Sequence, residues 1–127
     1  MQHRCTYYSL TFYMSLRSKE QPLQHYFWGN NCDGWILTDT EQLSVKQERM
    51  PPQTSEALHF HKNAQQFFFI LSGTATFEVE GESFNVIAGN GFYIEAGKKH
   101  RISNNAAENL EFILSSQPST NNDRVNV

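Results

Sequence analysis

From Gly34 onward the chain is written in short runs of β-branched and aromatic residues, each cut off by Gly, Pro, Asn or Ser. No run carries a helical period of useful length, so helical bundles and α/β layers are excluded and an all-β fold is expected. Strands are expected over residues 35–38, 43–50, 57–61, 66–72, 75–80, 83–87, 92–94, 100–103 and 110–115. Pro51-Pro52 stops the second of these, because proline donates no ladder hydrogen bond. Ala75, Phe77 and Val79 alternate with polar partners up to Glu80-Gly81, and Phe84 and Val86 resume the pattern, which reads as a hairpin turning on Gly81. Strands this short and this regularly spaced build a sandwich or a barrel. The expected organisation is an N-terminal arm over 1–27, one barrel over 28–116 and a polar, Asn-rich tail over 117–127 that drapes on the surface.

Composition narrows the partners. With 39% hydrophobic and 18% charged residues the chain is a globular domain rather than a disordered one. Its net charge of -3 lacks the basic footprint of a nucleic-acid binder, and no apolar run reaches membrane-spanning length. Residues 5–16 follow a basic start yet have no small-residue cleavage site, and Met14 within them is a second candidate start. Cys5 and Cys32 are too few for a disulfide framework and have no metal-type pairing. The expectation is a cytoplasmic protein with reduced thiols.

Chemistry concentrates in the histidines. His59 and His61 stand two apart, so on a strand they project from one face and can reach one ion. Gln66 follows on the next strand, and His100 stands behind the Gly97-Lys98-Lys99 turn.

At these positions the sequence resembles the cupin superfamily. That family's first motif runs Gly, five residues, His-x-His, three or four residues, Glu, six residues, Gly; here Gln53, His59, His61, Gln66 and Gly73 keep the spacing. The second motif falls on Gly89, Glu95, Gly97, His100 and Asn104, with Glu95 where the family has proline. The resemblance implies a double-stranded β-helix, or jelly-roll barrel. It also implies a divalent transition metal (Zn, Mn, Fe, Ni or Co) held by His59, His61 and His100, with Gln66 as fourth ligand and Gln65 as its substitute in a loop one residue shorter. An amide in place of the carboxylate leaves the ion's charge unbalanced, which favours an anionic ligand. A histidine inside a barrel can also be an ordinary hydrogen-bonded core residue.

Strand parity gives the remaining expectations. If Gln66 faces inward, Phe68 and Ile70 do too, and Phe67, Phe69 and Leu71 face out. Gln47 and Arg49, which share parity with Leu43 and Val45, are expected in the ligand pocket with Phe68 and Tyr93. Glu48 has the opposite parity and reaches the pocket only if that face or a bulge turns inward. Lys98 and Lys99 can steer an anion or simply solvate their turn.

Two functions fit: a metal-dependent enzyme of isomerase, lyase or dioxygenase type acting on a small polar or anionic molecule, and a non-catalytic module that binds a metal or small ligand. A proton-transfer group beside the ion distinguishes the first; an apolar surround favours the second. An outward strip of Leu58, Phe60, Phe67 and Phe69 needs a cover, and a homodimer is expected to supply it, the arm being the alternative.

Overall fold

A computed structural model describes residues 15–127. Among the described residues twelve strands form two sheets, with all strand pairs antiparallel: β1 (Gln24–Trp28), β2 (Cys32–Asp39), β3 (Ser44–Met50), β4 (Thr54–Ser55), β5 (His59–His61), β6 (Gln65–Ser72), β7 (Thr74–Val79), β8 (Glu82–Ile87), β9 (Gly91–Ile94), β10 (His100–Asn104), β11 (Leu110–Gln117) and β12 (Arg124–Asn126). One sheet runs β1-β2-β3-β11-β6-β9; the other runs β12-β5-β10-β7-β8, with β4 added on β10. All nine expected strands are present.

Between the sheets lies a core of Met50, Phe68, Ile70, Phe77, Ile94, Ile102, Leu110 and Phe112. The pleat of β6 alternates without a break, Gln66, Phe68 and Ile70 buried and Phe67, Phe69 and Leu71 exposed, as its sequence parity requires. Phe68 of the first sheet meets Phe77 of the second edge-on at 4.9 Å between ring centroids, and Phe77 stacks on Phe92 at 4.4 Å, so aromatic contacts join the sheets. The β7–β8 hairpin turns through Glu80 (φ 50°) and Gly81 (φ 86°). Two successive positive φ values are what a two-residue turn needs to match strand twist.

Three strands went unread in the sequence. β1 pairs with β2 along its whole length, so part of the arm expected over 1–27 belongs to the first sheet. Cys32 is a buried core residue of β2 with a free thiol; Cys5 lies outside the described residues. The tail is not loosely draped. Its residues 124–126 add β12 to β5, and Asp123 is buried as the pin of that edge. The Asp123 carboxylate accepts the backbone N–H of Asn63 at 3.0 Å and of Ala64 at 2.9 Å, and the Asn63 side-chain amide at 3.2 Å. A polar, Asn-rich segment has no periodic signal because this anchoring is one buried carboxylate rather than an apolar face.

Hydrogen bonds to a charged acceptor contribute about 1.5–3 kcal/mol each, and their loss leaves buried donors unmet. Asp123→Ala is expected to lower stability by about 3 kcal/mol in urea unfolding, and Asp123→Asn by less, since its one remaining oxygen still accepts. Equal stability of Asp123→Ala and wild type would show that the C-terminal strand is not pinned there.

Candidate metal centre

Register brings the three histidines together. β5 puts His59 and His61 on its inner face, and β10 places His100 directly opposite His59. Ring centroids are 4.3 Å apart for His59 and His100, 5.0 Å for His59 and His61, and 5.7 Å for His61 and His100. One ligand nitrogen from each ring lies within 4.8 Å of the others, and all three residues are buried. The two motifs are also joined through the backbone, because the Gly97 N–H donates to the His61 carbonyl at 2.7 Å.

Hydrogen bonds set the tautomers. His59 Nδ1 lies 2.8 Å from the Ala57 carbonyl and His100 Nδ1 2.9 Å from the Lys98 carbonyl. A carbonyl only accepts, so each Nδ1 carries the proton and each Nε2 presents a lone pair. Burial holds all three rings neutral, pushing His59 down to about 3, His61 down to about 4 and His100 down as well.

From the facing sheet comes Gln66, whose amide donates to Ser116 Oγ at 3.1 Å and whose Oε1 is buried without a partner. His100 Nε2 and His61 Nδ1 are likewise buried and unpartnered. Each such atom costs about 1–3 kcal/mol, and lone pairs clustered beside neutral imidazoles are what a divalent cation satisfies. The donor set therefore fits the ion the sequence implied. The fallback Gln65 is exposed and accepts from the Tyr93 hydroxyl, away from the histidines.

His59, His61, Gln66 and Phe68 line one cavity of about 250 Å3 with Tyr26, Lys46, Glu48, Glu56 and Arg124. Two expected pocket residues of β3 are elsewhere. Gln47 donates to Glu111 at 3.0 Å and Arg49 to Asp33 at 2.7 Å, both on the outer face, while Ser44, Lys46, Glu48 and Met50 turn inward. The error followed the apolar residues: Val45 faces out onto a partly apolar surface, and the inner face of this strand is charged because it lines the cavity. Tyr93 is also corrected, standing 55% exposed opposite Phe67 on the outside of the sheet. Lys98 pairs with Glu95 at 3.6 Å and lines a separate surface groove.

The acids of the cavity are unusual. Tyr26 donates a hydrogen bond to Glu48, and burial first, then Glu48 itself, raise the phenol's pKa, so it stays a neutral donor. Burial raises Glu48 too, against the pull of that hydrogen bond and of Lys46. Tyr26 lies across the strand on Gly34, where an added Cβ would fall inside the ring. Glu56 accepts the Ile102 N–H at 3.1 Å and lies 3.7 Å from Arg124, yet burial pushes its carboxyl up to about 8. Of these, Tyr26, Lys46, Glu56 and Arg124 escaped sequence reasoning. The inward parity of Lys46 with Met50 was the one available signal.

A double-stranded β-helix with a histidine cluster between its sheets defines the class. The chain belongs to the cupin family, whose cupin domain matches residues 46–116. An oxalate-binding protein of Thermotoga maritima is 31% identical over 65 residues, 51% of this chain and 54% of that protein, so the chain spans about half the length of this curated relative. A structure described as a predicted oxalate decarboxylase, also from Thermotoga maritima, superposes with a TM-score of 0.72 at 21% identity, covering 81% of this chain and 97% of that one. KdgF from Halomonas sp. does so with a TM-score of 0.70 at 17% identity, covering 76% and 86%. At these identities the structural likeness establishes the fold.

Two outcomes follow. His59→Ala is expected to reduce bound metal to background in elemental analysis, whereas Gln66→Glu tightens binding by restoring a negative ligand; unchanged metal content in both removes the centre. Glu56 keeps its proton in the folded protein up to about pH 8, whereas the unfolded chain releases it near 4.5. Its contribution is complete below 4.5 and is lost as pH rises through 8. Denaturant unfolding should therefore show wild type losing stability relative to Glu56→Gln across that window, and parallel pH curves would contradict the raised pKa.

Proposed function

We propose that this cupin is a metal-dependent enzyme acting on a small anionic molecule. The observation that carries the reading is the Tyr26–Glu48 pair, a proton-transfer group in the same cavity as His59, His61 and Gln66. Burial raises the Glu48 carboxyl above the ordinary carboxylate range, the direction in which a carboxyl becomes able to donate as well as accept a proton at a bound substrate. Tyr26 orients it by one hydrogen bond, and Trp28, Phe68 and Leu114 supply apolar wall that excludes water. His59, His61, His100 and Gln66 would hold the divalent transition metal. When bound, that ion acts as a Lewis acid on a ligand oxygen. The curated relative named for binding oxalate supports a small acid as the ligand. A protein holding metal and ligand without turnover is the competing reading, and the charged lining of the cavity counts against it.

The test is a turnover screen of metal-loaded protein with small carboxylates, keto acids and sugar phosphates. General acid–base groups contribute about 10²–10⁴-fold, so Glu48→Gln should bind the active compound with unchanged affinity and convert it at least about 100-fold more slowly. Tight binding with no conversion of any compound would favour the binding module.

We also propose a homodimer, with its seat revised by the two sheets. Leu58 and Phe60 lie on or beside β5, whereas Phe67 and Phe69 belong to the other sheet, so the four do not form one strip. Phe67, Phe69 and Leu71 are each at least 40% exposed and continue to Tyr93, a patch that a second copy would cover. Sedimentation should give a dimer for wild type and a monomer for Phe67→Glu; a monomeric wild type overturns it.

A further inference from the structure

The two cations of the cavity are not explained by the metal centre or by the proton-transfer pair. Arg124 sits opposite His61 in the β12–β5 register, and directly opposed residues of an antiparallel pair share a face. The last strand therefore delivers a guanidinium to the histidine side of the sheet, at its outer edge. The Asp123 pin and the bond from Val127 N–H to the Leu58 carbonyl, at 3.0 Å, hold that strand on either side of Arg124.

The Arg124 fork is poorly used. Nε donates to Asn126 at 2.9 Å, but the terminal nitrogens reach only the Ala57 carbonyl at 3.5 Å and Glu56 at 3.7 Å. Five N–H donors in a fixed plane normally find shorter partners than these. From the opposite sheet, Lys46 enters the same cavity, in no ion pair among the described residues and 5.8 Å from the Tyr26 ring centroid. Two cations from different sheets thus converge on one small cavity, over buried neutral histidines.

We infer that Arg124 and Lys46 form a carboxylate subsite, so that the cavity selects small dicarboxylates by gripping the end that faces away from the histidines. The inference rests on the metal reading for the other end, where an ion held by neutral donors would take the first carboxylate. A planar guanidinium matches a carboxylate in two parallel hydrogen bonds, and Lys46 adds a point charge. The cavity, at about 250 Å3, lies below the size of drug-sized pockets, so the ligand has only a few carbons. Arg124 is then a specificity-determining residue carried by a segment whose sequence has no motif.

Calorimetry on the full chain, with metal content measured in the same samples, tests this with succinate, succinamate and succinamide, which share one skeleton and carry two, one and no negative charges near neutral pH. Wild type should bind succinate at least about tenfold more tightly than succinamate, the size of one charge-assisted contact. Arg124→Gln should abolish that gap while keeping the metal content of wild type, and Arg124→Lys should retain part of it. A gap that survives Arg124→Gln, or no gap in wild type, overturns the subsite and leaves the metal reading standing if the ion is bound. An Arg124-dependent gap in a wild-type protein that holds no metal supports the subsite and overturns the metal reading.

Discussion

The pairing of β5 with β10, His59 opposite His100, is the contact on which the site depends. β5 is three residues long and has little ladder of its own. It keeps its place because β10 flanks it on one side and β12 on the other, and because the Gly97 N–H reaches back to the His61 carbonyl. A slip of one residue would turn both β5 histidines outward and put Phe60 among the ligands. The Asp123 pin, remote in sequence, thus belongs to the same problem as the histidines: it steadies the 62–64 loop that leads from His61 to Gln66.

Burial then decides the electrostatics. The histidines are kept neutral, which costs the fold protons it would otherwise take up near pH 6.5, but leaves lone pairs ready for an ion. The same desolvation acts on Glu48 and Glu56 in the opposite sense, favouring their protonated forms. Histidines and acids respond oppositely to one cause because one class is charged when protonated and the other when deprotonated. Lys46 and Arg124, the cations of the same cavity, are less deeply placed than the histidines.

The outside of the first sheet shows how weak a guide hydrophobicity can be. Phe67, Phe69 and Leu71 face outward from a strand whose other face is equally apolar, and Gln47 and Arg49 share that outer surface with Val45. Where both faces carry apolar groups, alternation reveals that a strand exists and leaves open which side is the interior.

The sequence by itself determined the all-β class, nine of the strands, the hairpin at Gly81 and the three histidines with Gln66, because each depends on short-range rules: turn chemistry, a period of two, and motif spacing. Gln66 and Phe68 were legible inside because the motif oriented β6. No motif oriented β3, so its inward face of Lys46 and Glu48 was settled only when the sheets closed over a polar cavity. Tyr26, Glu56 and Arg124 were beyond reach for a related reason. They arrive from β1, from the loop before β5 and from β12, and long-range pairing alone brings these to one place; a lone Arg in a polar tail carries no local trace of the histidine it will face.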